Sequence, residues 1–308
     1  MSKKTGAAIR PFQATWTFVR EFVTEVHTEQ DGTKQPGKLT EFASETWFKY
    51  LYAHVELWYR VRYGTRVDSG STRRFQGIAL FASTPFELQV PTTVTSPGVP
   101  GETVWLTWPD VVLSDEDVTT WIVNPPDLSS YNEESRLEAI KFATDVASKL
   151  RAIWSRLTGT HLSDEIAKSL LAGVIIHLES ASALILRYEK EGSFGRAQWE
   201  VQMACESAYK GLLQQRTGNF IESHDLFFLH DSSLPYSDNV PRELLRKLPR
   251  WQEAANYRYG QGDQPTIFGI VSWYRVALTI IAEILRNLEG LQLAHTRIEI
   301  RKAPWLGE

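Results

Sequence analysis

The feature that most constrains this chain is a change of hydrophobic period near residue 128. Before it, runs rich in Thr, Val, Trp, Tyr and Phe alternate apolar and polar residues and are punctuated by Gly, Pro and Ser. That texture suits strands with one face in a core and one in water. In the longest run, Trp47 to Tyr63, one parity carries Trp47, Leu51, Ala53, Val55, Leu57, Tyr59 and Val61, and the other His54, Glu56, Arg60 and Arg62. The alternation predicts a strand, long enough to need a bend or bulge. Shorter runs predict strands at 16–26, 75–81, 86–90, 104–108 and 119–123, joined by loops at 64–74 and 91–102. Six strands with turn-rich connections predict an antiparallel β sandwich or barrel over residues 1–128. The segment NPPDLSSYN, Asn124 to Asn132, is expected to be a linker, since its two prolines resist helix.

From Glu133 onward the spacing becomes helical. Leu137, Ile140, Ala143, Val146, Leu150, Ile153 and Leu157 form one stripe, which Gly159 ends. Ser163 is the expected N-cap of a second helix reaching about Glu191, with Asp164 and Glu165 placed against its dipole. Its middle, LLAGVIIHL, is apolar all round and predicts a central position. Further helices are expected over Arg196 to Gln215, just after His224, over Pro241 to Tyr257, and from about Pro265 to Gly290. Residues 129–308 therefore read as an α-helical bundle, and the chain as α+β with two domains.

Composition removes several function classes. The 33 Lys and Arg against 37 Asp and Glu give a net charge of −4, without the basic excess of a nucleic-acid-binding domain. The split is 12 basic against 15 acidic residues in 1–132 and 21 against 22 in the rest, so an anionic ligand must be met by a local patch. The single cysteine, Cys205, excludes an intrachain disulfide and fits a reducing, cytoplasmic setting; buried packing is its expected role. The start, MSKKTGAAIRPF, lacks the apolar core of a signal peptide. The apolar stretches 170–176 and 267–285 are too short for a membrane span or carry Arg275 and Glu283, so no membrane partner is expected. No P-loop or dinucleotide fingerprint is present. His224 and His230, six apart, are poorly spaced for zinc, and the histidines at 27, 54, 177 and 295 stand away from acidic or thiol clusters in the sequence. Neither a metal nor a cofactor is expected.

Three strings in the helical half carry a resemblance: ACESAYKGLLQQRTG (Ala204 to Gly218), ESHDLFFLHD (Glu222 to Asp231) and WQEAANYRYG (Trp251 to Gly260). In order and spacing they resemble the HEPN superfamily of prokaryotic helical domains. The matching positions are Glu206, Lys210, Gly218, His224, Asp225, Leu226, Arg258 and Tyr259. The resemblance implies a dimerising helical bundle, cytoplasmic, of the kind found in antiviral defence and toxin–antitoxin systems. Many of its relatives are metal-independent ribonucleases that use Arg, four to six residues, then His before the last helix. Here Arg258 is followed by YGQGDQPTIFG with no His in that window; the one Arg-x4-His pair, Arg156 and His161, sits on another helix and is interrupted by Gly159.

The first 128 residues hold six of the eleven tryptophans. Most suit a sheet core, but Trp58 shares the polar parity with Arg60 and Arg62 beside a loop carrying Arg66, Arg73 and Arg74. An aromatic among arginines can hold an anionic ligand by stacking and phosphate contacts. The function that the resemblance implies, with this patch beside it, is a non-catalytic HEPN-like dimerising and binding module with RNA, a nucleotide or a protein as partner. The alternative is a HEPN-type ribonuclease with a rearranged site built from Arg258 and His224. The dimer expectation has one internal motive: the apolar surface of the last helix, including Ile267, Phe268, Ile270, Val271, Trp273 and Tyr274, must be covered.

Overall fold

A computed structural model describes residues 10–23, 27–30, 33–36, 45–63, 74–97, 103–188, 193–237, 239–259, 261, 265–290 and 293–301. The chain is α+β and mostly helical. It divides into two compact units that are discontinuous in sequence. One takes the described residues of 1–74, 92–108 and 292–308, and the other 75–91 and 109–291.

The first unit holds helices α1 (Arg10–Phe22) and α2 (Thr46–Tyr63) and the strands β1 (His27–Gln30), β2 (Thr33–Pro36), β5 (Val94–Pro97), β6 (Thr103–Thr107) and β7 (Thr296–Arg301). The strands form one antiparallel sheet in the order β2-β1-β7-β6-β5. Residues near the two ends of the sequence thus pair directly, His27 with Glu299, and the other edge of β7 pairs with β6, Thr103 with Arg301. Beside the sheet, Val19, Trp47, Phe48, Trp108 and Leu293 form a small buried cluster.

Two predicted strands are corrected here: residues 16–22 and 47–63 are helical. In α2 the side chains that enter the cluster are Trp47, Phe48 and Leu51, at one, three and four residues' spacing, which is a helical face. Aromatic and β-branched residues imitate a strand's composition, yet eighteen residues without Gly or Pro is a helix length. On a helix the alternation no longer groups Trp58 with Arg60, which lies about 200° away, whereas Arg62, four residues on, stays within about 40° of Trp58. The expected run at 119–123 is also corrected: Val118–Trp121 is a 3-10 turn capped by Asp117, and only Ile122 bridges a strand residue, Leu88.

The second unit opens with the hairpin β3 (Phe75–Phe81) and β4 (Thr84–Val90), paired from Phe75↔Val90 to Phe81↔Thr84. Its two-residue turn, Ala82-Ser83, has φ of 43° and 70°, the pattern of a type I′ turn. For non-glycine residues that backbone costs about 1–2 kcal/mol each. Among the described residues neither sheet closes or stacks into the expected sandwich or barrel; this hairpin instead lies on helices α3 (Glu133–Gly159) and α4 (Glu165–Leu186). Gly77 permits that approach, since a Cβ there would stand 2.6 Å from Leu150 Cδ1.

The remaining helices are α5 (Ser193–Thr217), α6 (Leu226–Ser233), α7 (Arg242–Leu245), α8 (Trp251–Arg258) and α9 (Ile267–Leu285). Their starts follow ordinary capping chemistry: Asn132, Asp164, Asp225 and Thr266 accept backbone N–H bonds at α3, α4, α6 and α9. Asp164, rather than the expected Ser163, caps α4, and the single helix expected over 241–257 is two, α7 and α8, separated by a turn reaching Pro249. Gly218, φ 69°, ends α5 in the left-handed region. The expected linker 124–132 is structured: Asp127 caps a 3-10 turn, and Leu128 and Tyr131 pack against the core.

The core is centred on α5, which packs against α4, α6, α8 and α9. Helices α4 and α9 are apolar and long enough to cross a membrane by length and composition, but Leu171, Val174, Leu178, Tyr274, Leu278 and Ile281 are buried within this unit. The apolar last helix is thus largely covered by its own chain, which removes the motive that pointed to a symmetric partner.

Candidate ligand site around the central helix

Along α5 runs a row of polar side chains at four-residue spacing: Gln198, Gln202, Glu206, Lys210 and Gln214, each at most 6% exposed. Four-residue steps advance about 40° around a helix, so the row winds slowly through the bundle. Buried polar groups need partners, and the row finds most of them. Gln214 donates to Asp164 Oδ2 (2.9 Å), Lys210 Nζ lies 2.9 Å from Glu206 Oε1, and Gln202 Nε2 donates to the His224 carbonyl (3.4 Å). Among the described residues Gln198 finds no partner for either amide atom.

Glu206 is the hub. Both its oxygens lie 3.0 Å from His224 Nδ1, and Lys210 holds one of them. A carboxylate only accepts, so Nδ1 carries the proton of this bond, on a ring that is 54% exposed. That ring leans on Trp251 (5.9 Å between centroids), while the Lys210 ammonium sits 5.3 Å from the Phe220 ring. Four of the positions that carry the HEPN resemblance, Glu206, Lys210, His224 and Asp225, therefore come together. Asp225 caps α6 through Phe227 N–H (2.9 Å).

Beside this cluster opens a cavity of about 570 Å³, within the range of small-molecule pockets. Gln202 and Asp225 supply amide and carboxylate groups, Trp251 and Phe227 supply ring faces, and Arg246 and Arg250 supply charge. The turn between α7 and α8 brings both arginines and the indole to one place, because Leu245 and Leu248 are buried and anchor it. Arg246 also pairs with Glu243 (2.9 Å) on the exposed side of the turn.

Arg258 and Tyr259 stand elsewhere. Arg258 is seven residues along α8 from Trp251, about 10 Å down the axis, with its guanidinium over Trp199 (4.7 Å) and 6.0 Å from the Tyr259 ring. No hydrogen bond or ring contact among the described residues joins Arg258 to His224. Trp58 on α2 and Arg74 are exposed, and Arg60 and Arg62 fall on α2; Arg66 and Arg73 lie outside the described residues.

Two histidines acquire partners that the sequence did not foreshadow. His177 Nδ1 meets Glu200, 23 residues away, at 2.7 Å, so it does not stand apart from acidic groups in space. His230 is buried with Nδ1 3.3 Å from Tyr209 Oη, and burial lowers its pKa, with Asp231 opposing and Arg242 adding to the effect. Burial also raises the Cys205 thiol far above its usual range. Among the described residues no group of three or more His, Cys, Asp and Glu is placed to hold a metal ion. Sequence reasoning singled out only Glu206 and Lys210 of the polar row. The i, i+4 repeat of Gln198, Gln202 and Gln214 inside an otherwise apolar helix was the available signal. Gln202, Arg246, Arg250 and Trp251 as pocket groups had no local signature.

No protein-family model, curated protein or solved structure matches this chain.

Proposed function

We propose that this chain is a non-catalytic, cytoplasmic binding module of HEPN type whose helical unit holds a nucleotide, free or at the end of an RNA. The observation that carries this reading is the chemical mixture in the 570 Å³ cavity. Arg246 and Arg250 suit phosphate, the Trp251 indole suits a stacked base, and Gln202 with Asp225 offers acceptors and donors for a base edge. The convergence of the motif residues Glu206, Lys210, His224 and Asp225 beside that cavity supports the family resemblance. The same resemblance implies a homodimer and a defence or toxin–antitoxin setting; light scattering at micromolar concentration tests the first. Calorimetry with mononucleotides and short RNAs tests the binding. Arg250→Ala and Trp251→Ala should each weaken it about tenfold or more. No heat from any nucleotide or RNA at millimolar concentration would refute the reading.

One observation favours a second reading, a metal-independent ribonuclease. Glu206 takes the Nδ1 proton of a half-exposed His224 ring, which leaves Nε2 as the basic nitrogen that a general base requires. On this reading the phosphate is held by Arg246 or Arg250, which border the cavity, rather than by Arg258. RNA cleavage that persists at full rate in His224→Gln excludes it.

A further inference from the structure

A second concave region of the helical unit differs in chemistry from the first. One hollow of about 270 Å³ and another of about 480 Å³ share Leu80, Glu138, Phe142 and Phe268 among their lining residues, so they form one continuous groove over α3, α9 and the tip of the β3–β4 hairpin. Leu80, Phe142, Phe268 and Val271 make it apolar, and Phe268 is 60% exposed at the start of α9. The strained turn Ala82-Ser83 closes the smaller hollow, so the hairpin's unusual backbone places its tip against the groove.

The wider hollow is electrically one-sided. Lys149, Lys247 and Arg275 border it, with Glu138 as its carboxylate. Asp145 lies between two of the cations: its Oδ2 takes bonds from Lys149 Nζ (2.8 Å), Arg275 Nε (3.1 Å) and Arg275 Nη2 (2.9 Å). The Phe142 ring lies 4.9 Å beneath the Arg275 guanidinium and fixes its plane. Among the described residues Arg275 Nη1 has no hydrogen-bond acceptor, and Lys247, exposed on the turn after α7, has no charged or hydrogen-bonded partner for its ammonium. Among the described residues two carboxylates thus face three cations, leaving one positive charge uncompensated at the end of an apolar trough.

We propose that this groove is a binding site for an amphipathic monocarboxylate. Its aryl or alkyl body lies along Phe142, Phe268 and Leu80, and its carboxylate meets Lys247 and the free edge of Arg275. The charge complement argues for this occupant: a neutral apolar ligand leaves Lys247 unanswered, and a dianion must overcome Glu138 and Asp145. Apolar burial supplies the attraction, and the single charge pair sets the orientation.

The test compares 4-phenylbutyrate with 4-phenylbutan-1-ol, which share a body and differ in the head group. Titration calorimetry on the full chain reads affinity at millimolar ligand. The acid is expected to bind about tenfold or more tightly than the alcohol. Lys247→Glu should remove that preference, and Phe268→Ala should weaken both ligands. Both residues are exposed, so the folded state is expected to survive, which circular dichroism checks. Trp251→Ala, in the other cavity, should leave these affinities unchanged. Equal binding of acid and alcohol, no binding of the acid, or an acid affinity insensitive to Lys247→Glu overturns the proposal.

Discussion

Replacing Arg151 by Met should unfold the helical unit more readily than any surface change, for reasons that can be worked from its contacts. The Arg151 side chain is completely buried on α3. Its Nε donates to the Pro91 carbonyl (2.9 Å) and Nη1 to the Val111 carbonyl (2.9 Å). Nη1 and Nη2 together grip the Glu116 carboxylate, the latter at 2.7 Å, and the Trp121 ring lies 4.7 Å away. One cation thus ties the end of the hairpin and the segment 111–121 to the first bundle helix. Methionine fills similar volume but leaves Glu116, with a side chain only 14% exposed, as an unpaired charge. Breaking a buried pair from one side costs about 3–5 kcal/mol. For a unit of this size that is about 6–20 °C in Tm.

The pH dependence has a definite sign. Burial alone raises the Glu116 pKa, but the hydrogen bonds from Arg151 and Leu113 N–H and the Arg151 charge outweigh it and hold the group below its ordinary 4.5. A carboxyl lowered in the folded state contributes stability that is complete above pH 4.5 and is lost as pH falls through the folded value. In Arg151→Met only burial and the Leu113 bond remain, so the stability gap should be widest near pH 7 and should narrow below pH 4.5. Urea unfolding followed by circular dichroism at both pH values measures this. Adding Glu116→Gln should recover part of the loss, because the orphaned charge is gone. A single mutant within about 1 kcal/mol of wild type, or a double mutant no better than Arg151→Met, would refute the reasoning.

Three further outcomes are expected. Burial lowers the His230 pKa in the fold, so its contribution is complete above pH 6.5 and declines as pH falls toward its folded value; His230→Gln should flatten the stability profile just below pH 6.5, read by thermal melts. Gly211→Ala places a Cβ 2.6 Å from Leu171 Cγ and Cδ2 at the α4–α5 crossing, where Leu171 is itself buried. The overpacking, about 1–3 kcal/mol, should exceed the gain in helix propensity, and a rise in Tm would contradict it. Cys205 should resist a thiol reagent in the native protein and react only in denaturant; rapid native labelling would show that α5 opens.

What could be read from the sequence follows from the range of the interactions. The existence of the long helices, the apolar centre of 165–186 and the extent of α5 to about Gln215 are local properties, decided within a turn or two by periodicity and backbone donors. The strands at 75–81, 86–90 and 104–107 were legible for the same reason. Residues 47–63 were not, because aromatic-rich helix and strand share a composition and only the partners of Trp47 and Phe48 distinguish the faces. The domain boundary was placed where the texture changes. Tertiary pairing instead sends the hairpin 75–90 onto α3 and α4 and unites strands from both ends of the chain.

The site divides the same way. Glu206 and Lys210 are one turn apart and could be paired from the sequence. Their meeting with His224, the arrival of Trp251, Arg246 and Arg250, and the Arg151–Glu116 clasp join residues separated by 18 to more than 40 positions. By itself the sequence determined the helices and the polar groups they carry. Only the packed bundle decided which of those groups are buried, and therefore which must find one another, because the cost of an unpaired buried charge exists only once water has been excluded.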